Sequence, residues 1–352
     1  MTGASTAVDG TPPGNVWHRG SAPASTIGAW LPEGALGEAL AQGLAEVEDA
    51  LTASVDSPHP FVREAAAHLM AAGGKRFRPM LALLAAQLGD PSAPGVTASA
   101  VVCELTHLAT LYHDDVMDEA AVRRGAPSAN TRWSNSVAIL TGDFLFARAS
   151  DLLADLGPEA VRVQARTFER LVTGQIRETV GPAPGDDPVG HYLEVLADKT
   201  GSLVATAARF GASFAGVDAG LVESLTAFGE EVGVAFQLSD DLLDIVSEGG
   251  SSGKSPGTDL REGIATLPVL FVLAGDDPAE VRLRELVAAP VTDDAEHAEA
   301  LALLRSSTSL ERATQVLREY ADRARARLSE VPAGEVREAL SALCDYVVTR
   351  TS

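Results

Sequence analysis

The sequence predicts an all-α protein, and three observations carry that expectation. From Leu31 onward Ala, Leu, Glu and Arg dominate, and apolar residues recur every three to four positions, the period of amphipathic and buried helices. Clusters of Gly, Pro and Asp interrupt this pattern at 88–95, 123–130, 155–160, 180–190, 247–259, 274–280 and 289–294, leaving segments of helical length between them. Runs of alternating β-branched residues, which a sheet would need, are scarce.

Residues 1–27 are rich in Gly, Pro, Ser, Thr and Ala and cannot bury enough apolar surface to offset their ordering entropy, so they are expected to be a flexible tail. They carry neither the basic start nor the apolar stretch of a secretory signal, and a cytoplasmic location is the expectation. Residues 28–352 are expected to form one large helical domain, since 46% apolar residues suffice for a core without crosslinks. Cys103 and Cys344 lie in apolar surroundings far apart and read as buried free thiols. No apolar run approaches the roughly 18 to 20 residues of a membrane span, so no membrane anchor is expected. With 27 Lys+Arg against 49 Asp+Glu, the net charge of −22 makes nucleic acid or an anionic membrane surface a poor partner.

Within the helical pattern one short motif occurs twice. LATLYHDDVMDEA contains Asp114, Asp115 and Asp118, and VAFQLSDDLLDIV contains Asp240, Asp241 and Asp244. Positions i and i+4 of a helix are 40° apart and one turn up, so Asp114 with Asp118, and Asp240 with Asp244, each share a face. The neighbours of both motifs are apolar, and acids in such a helix repel one another and suffer desolvation unless a cation neutralises them. Carboxylate oxygens suit Mg²⁺, which shares its coordination with water and substrate phosphates. A single such motif would read as a solvated acidic face, but two in apolar helices favour metal.

The few basic clusters supply the counterpart. Lys75, Arg76 and Arg78 follow a Gly-Gly pair in AAGGKRFRPM, and Arg123 and Arg124 follow the first aspartate motif. Flexible glycines let a chain close around an anion, and guanidinium forks match phosphate oxygens. His107 lies two turns before Asp114 on the same face, and Gln237 lies one turn before Asp240. Lys199 and Thr200 open a small-residue segment suited to close packing or to lining a cavity, and Lys254 sits in the loop after the second motif. Metal and arginine together imply a phosphorylated substrate.

In order, GGKRxRP at 73–79, His107, DDxxD at 114–118, RRG at 123–125, Gly174–Gln175, Lys199–Thr200, QxxDDxxD at 237–244, Gly253–Lys254 and DLxxG at 259–263 resemble the trans-isoprenyl (polyprenyl) diphosphate synthases, over roughly residues 31–350. The resemblance implies an all-helical isoprenoid synthase fold around a deep central cavity, usually as a homodimer. It implies that Asp114, Asp115, Asp118, Asp240, Asp241 and Asp244 hold Mg²⁺, about three ions with substrate bound. Arg123, Lys199, Thr200, Gln237 and Lys254 would contact an allylic diphosphate, and Lys75, Arg78, His107 and Arg124 would hold isopentenyl diphosphate. Ile264 departs from the Lys or Gln that many relatives carry after that glycine.

Residues just upstream of the first motif face the growing chain in this family. Here they are Ala109 and Thr110, and small side chains leave a tunnel open where short-chain relatives place bulky ones, which implies a product of roughly C35–C50. Phe168 reads either as a deeper floor of that tunnel or as an ordinary core residue. The wording around the first motif resembles actinobacterial sequences, in which a quinone side chain is the commonest use of such products. A shorter-chain synthase is the alternative, with a terpene cyclase, a non-catalytic subunit and an acidic helical scaffold more remote.

Overall fold

The computed structural model describes residues 34–247 and 256–351, so the expected tail at 1–27 and Lys254 lie outside the described residues. The chain opens with α1 (Ala35–Ser54), α2 (Pro60–Ala71), α3 (Phe77–Ala86) and α4 (Pro94–Met117). A short hairpin of β1 (Val122–Arg123) and β2 (Ala126–Pro127) leads to α5 (Ala129–Arg132), α6 (Asn135–Leu156), α7 (Pro158–Val180) and α8 (Pro188–Leu196). A π-helical turn, Ala197–Gly201, runs into α9 (Ser202–Phe214), followed by α10 (Ala219–Val246). The last part comprises α11 (Thr258–Glu262), α12 (Leu267–Ala274), α13 (Val281–Leu286), α14 (Asp294–Arg305), α15 (Thr308–Arg327) and α16 (Glu335–Thr349).

The breaks fall where the Gly, Pro and Asp clusters place them because those residues start helices as well as end them. Proline occupies the first turn of α2, α4, α7, α8 and α12, where its missing N–H is no loss. Ser134, Asp187, Asp218, Asp293 and Ser307 cap free N–H groups at the starts of α6, α8, α10, α14 and α15.

The centre is built from helices that are apolar almost all round. In α3 every residue from Pro79 to Ala86 is buried, and in α4 all of Ser99–Thr106. Helix α4 packs on α6, α9 and α3, while α10 packs on α9 and α15. Cys103 and Cys344 are buried and free, as expected. The hairpin is one departure from the all-helical expectation. Its two loop residues, Arg124 and Gly125, both have positive φ (54° and 76°), the pattern of a type I′ turn, and its register pairs Arg123 with Ala126. None of the described helices is long and apolar enough to cross a membrane.

Candidate active site

The first aspartate motif ends α4. Asp118 is its C-cap residue, and the Asp118 N–H donates to the Asp114 carbonyl at 2.8 Å, which stacks the two carboxylates one turn apart. Burial lifts the Asp114 carboxyl to about 6, with the Lys199 ammonium pulling the other way, and burial raises Asp118 as well. Asp115, expected among the metal ligands, is fully buried; Arg123 Nε donates to its Oδ1 at 2.6 Å, and its Oδ2 has no hydrogen-bond partner. The hairpin makes that contact, so the RRG segment acts first on the protein: Arg123 holds Asp115 and reaches toward Asp118 at 3.9 Å.

The other basic cluster forms a pocket of about 290 Å³ lined by Lys75, Arg78, His107, Arg124, Thr200 and Gln237, among others. Gly73 and Gly74 both have positive φ, and a Cβ on Gly74 would lie 2.9 Å from the Arg124 guanidinium carbon, so only glycine lets the chain turn there. Arg78 is enclosed, and its Nε is buried with no hydrogen-bond partner. Desolvation, and then the charges of Arg78, Arg124, Arg76 and Arg123, hold the His107 imidazole well below its usual value. Uncompensated guanidinium and a neutral imidazole are what an anion-binding pocket presents before its anion arrives. Arg76, in left-handed backbone at φ 48°, lines the same pocket but is neutralised by the protein, pairing with Glu48 and with buried Glu104 at 3.0 Å.

The second motif, on the last turns of α10, finds most of its partners within the protein. Asp240 pairs with Lys75 at 3.2 Å and with Arg350 at 2.7 Å. Asp241 accepts from the Tyr192 hydroxyl and from Gln237 Nε2 at 2.9 Å, and burial lifts its carboxyl to about 6. Asp244 accepts from the backbone N–H groups of Thr258 and Asp259 at 3.2 and 3.1 Å, capping α11. Among the described residues no cluster of three or more His, Cys, Asp or Glu side chains is gathered as a metal cage. These contacts leave Asp115 Oδ2 buried with no hydrogen-bond partner and engage oxygens of Asp240, Asp241 and Asp244 within the protein. The carboxylates of the two motifs are an oxygen donor set that fits Mg²⁺, which is normally held by one or two carboxylates plus substrate phosphates rather than by a full protein cage.

Below Asp114 lies a second, mostly apolar cavity of about 280 Å³, lined by residues of α4, α6 and α7 together with Lys199. Thr110 and Phe168 line it as expected, and Phe168 meets Phe146 edge to face at 4.5 Å. Ala109 does not line it. Fully buried against α6, its carbonyl oxygen would lie 3.1 Å from a Cβ on Gly142, so helix geometry turns this side chain into the core and Thr110 toward the cavity. Lys199 and Thr200, both expected to contact the allylic diphosphate, line different pockets. Lys199 lines the apolar cavity, while Thr200 lines the cationic pocket, donating to Gln237 Oε1 at 3.3 Å. Sequence reasoning missed Tyr192 and Arg350, which lie far along the chain from the motifs they touch, and also Phe146, Met117 and Ile176.

A cationic pocket and an apolar cavity lined by consecutive residues of one π-turn, with Asp114 lining the cavity and Asp118 one turn on, suit an enzyme whose substrate has a phosphorylated head and a hydrocarbon tail. A family model described as Polyprenyl synthetase matches residues 59–304, and the chain belongs to that family of prenyltransferases. It is 50% identical to the nonaprenyl diphosphate synthase of Mycobacterium tuberculosis, across 93% of this chain and 98% of that protein. The crystal structure of geranylgeranyl pyrophosphate synthase from Corynebacterium glutamicum, complexed with calcium and isoprenyl diphosphate, is 46% identical, with a TM-score of 0.80, covering 89% of this chain and 96% of that one. A decaprenyl diphosphate synthase structure from Rhodobacter capsulatus is 35% identical with the same TM-score of 0.80, covering 90% and 98%.

Proposed function

We propose that the protein condenses isopentenyl diphosphate repeatedly onto an allylic diphosphate to give a long-chain all-trans polyprenyl diphosphate, about C35–C50, with the prenyl tail descending from Asp114 past Thr110. The observation that carries this reading is the division of the site: a cationic pocket in which Arg78 Nε is buried without a partner, and an apolar cavity lined by Asp114 and Lys199 at its polar side. Lys75, Arg78, His107 and Arg124 would bind the isopentenyl diphosphate. The aspartates of the two motifs would hold Mg²⁺, which when bound stabilises charge on the departing pyrophosphate. Lys199 and Arg123 add positive charge beside the same group. The allylic C1–O bond breaks with its electron pair on pyrophosphate, and the C3–C4 double bond of isopentenyl diphosphate attacks C1. Loss of a proton to pyrophosphate regenerates an allylic diphosphate one C5 unit longer. His107, whose imidazole desolvation and the neighbouring arginines hold well below its usual value, would donate an N–H to the isopentenyl diphosphate.

Chain length follows from what blocks the cavity. Thr110→Phe would fill the space of a prenyl unit or more and is expected to shorten the product to about C15–C20. Ala109→Phe inserts the same bulk into packed core and is expected to destabilise the fold by about 1–3 kcal/mol instead. Chromatography of dephosphorylated products, with thermal melts of both variants, checks the pair. An unchanged product from Thr110→Phe would remove Thr110 from the tunnel wall.

A homodimer is part of the reading. Ile139 and Leu140 on α6, with Val161 and Val180 on α7, are all more than 40% exposed, apolar side chains that a second copy would cover. A cytoplasmic enzyme supplying a quinone side chain fits the same chemistry.

A further inference from the structure

The π-helical turn Ala197–Gly201 sends two consecutive side chains into two different pockets, Lys199 into the apolar cavity and Thr200 into the cationic one. A π-turn inserts an extra residue into a helix and is intrinsically less favourable than the α-helix around it, so something must hold it. The holding contacts come from one face of α7. Arg170 Nε donates to Asp198 Oδ1 at 2.9 Å, and Arg177 donates to Asp198 Oδ2 at 3.2 Å. Arg170 also reaches the Ala197 carbonyl at 3.3 Å and Glu230 of α10 at 2.6 Å. Between the two arginines sits Gly174, where a Cβ would come within 2.9 Å of the Asp198 Cβ and 3.1 Å of the Lys199 nitrogen. One turn on, Glu178 pairs with the Lys199 ammonium. Asp198 itself is only 16% exposed, so two guanidinium groups on one carboxylate work with little screening by water.

We propose that Asp198 is a positioning residue, clamped by Arg170 and Arg177, whose role is to fix the π-turn so that the Lys199 ammonium stands at the mouth of the apolar cavity. The inference rests on the reading of Lys199 as a contact for the allylic diphosphate. With the clamp released, the turn can relax toward regular α-helix. That change rotates Lys199 about the helix axis and moves its ammonium by an ångström or more, a misplacement on the order of a hundredfold in rate at a reacting centre.

The test is a double-mutant cycle on the full chain, reading kcat/KM for farnesyl diphosphate at saturating isopentenyl diphosphate and Mg²⁺. Asp198→Asn is expected to lower it by about tenfold to a hundredfold, and Lys199→Ala by as much or more. In the Lys199→Ala background, Asp198→Asn should cost less than about twofold, because the group it positions is already gone. A purely structural role would give the same loss in both backgrounds, and that additivity would overturn the proposal, as would an Asp198→Asn enzyme of normal kcat/KM. Should Asp198→Asn fold poorly, Arg177→Gln removes one half of the clamp at a half-exposed position and is expected to give a smaller loss with the same non-additivity. Normal kcat/KM for Lys199→Ala would sink the allylic reading of Lys199 itself, an outcome distinguishable from failure of the clamp alone.

Discussion

Asp114→Asn lowers kcat by about a thousandfold or more while making the metal-free protein more stable. The loss of rate follows from removing one of the carboxylates proposed to hold Mg²⁺: Lewis-acid stabilisation of a departing pyrophosphate is worth several kcal/mol, and about 4 kcal/mol corresponds to a factor of about a thousand. The gain in stability has the opposite origin. Burial lifts the Asp114 carboxyl to about 6 from an ordinary value near 4, so the native state holds this proton more tightly than the unfolded chain does. The cost of ionising it is absent below about pH 4, grows as pH rises from there to 6, and levels off above about pH 7 near 3 kcal/mol, at about 1.4 kcal/mol per pKa unit. Asparagine is nearly isosteric and does not titrate. Urea melts in EDTA should therefore show the variant more stable by about 3 kcal/mol at pH 7.5 and by about 1 kcal/mol at pH 4.5. A variant less stable than the parent at pH 7.5 would mean that the Asp114 carboxylate is already compensated without metal.

Arg78→Gln raises KM for isopentenyl diphosphate by about a hundredfold and leaves KM for the allylic substrate within about twofold. Arg78 is enclosed in the cationic pocket, and its Nε has no protein partner, so the diphosphate is the one acceptor this reading provides for it. Charge-assisted hydrogen bonds contribute about 1.5–3 kcal/mol each, and one or two of them account for the shift. The selectivity follows from the division of the site, since Arg78 does not line the apolar cavity that receives the allylic tail. Steady-state kinetics with each substrate varied in turn check this, and equal rises in both KM values would contradict the assignment of the pocket. Stability of the variant should not fall, because removing a desolvated and partly unsatisfied charge offsets the lost packing.

Much of this site is legible in the sequence because its chemistry is local. DDxxD encodes a carboxylate pair by i, i+4 spacing, and Gly73–Gly74 before Lys75 and Arg78 encodes a turn; in the fold the pair stacks at the end of α4 and the turn brings Lys75 and Arg78 to one pocket. What spacing does not encode is which donors reach a buried carboxylate from elsewhere in the chain. Asp115 goes to Arg123, Asp241 to Tyr192 and Gln237, Asp244 to the backbone of α11, and Asp240 to Lys75 and Arg350, some through contacts more than a hundred residues apart in sequence. Ala109 and Thr110 show the same limit at smaller scale. Adjacent residues on a helix point about 100° apart, and only the packing of α4 on α6 decides which of them meets the cavity. The π-turn has no sequence signal beyond its small residues, since the arginines that hold it stand on another helix.

The most direct test is product length. The full chain is incubated with Mg²⁺, farnesyl diphosphate and excess labelled isopentenyl diphosphate, and the dephosphorylated products are resolved by chromatography. The long-chain reading predicts all-trans chains of about C35–C50 that accumulate without a stop at C20. Label halted at C20 would contradict the long-chain reading, and no incorporation at all would contradict the assignment of the two pockets to an isopentenyl and an allylic diphosphate.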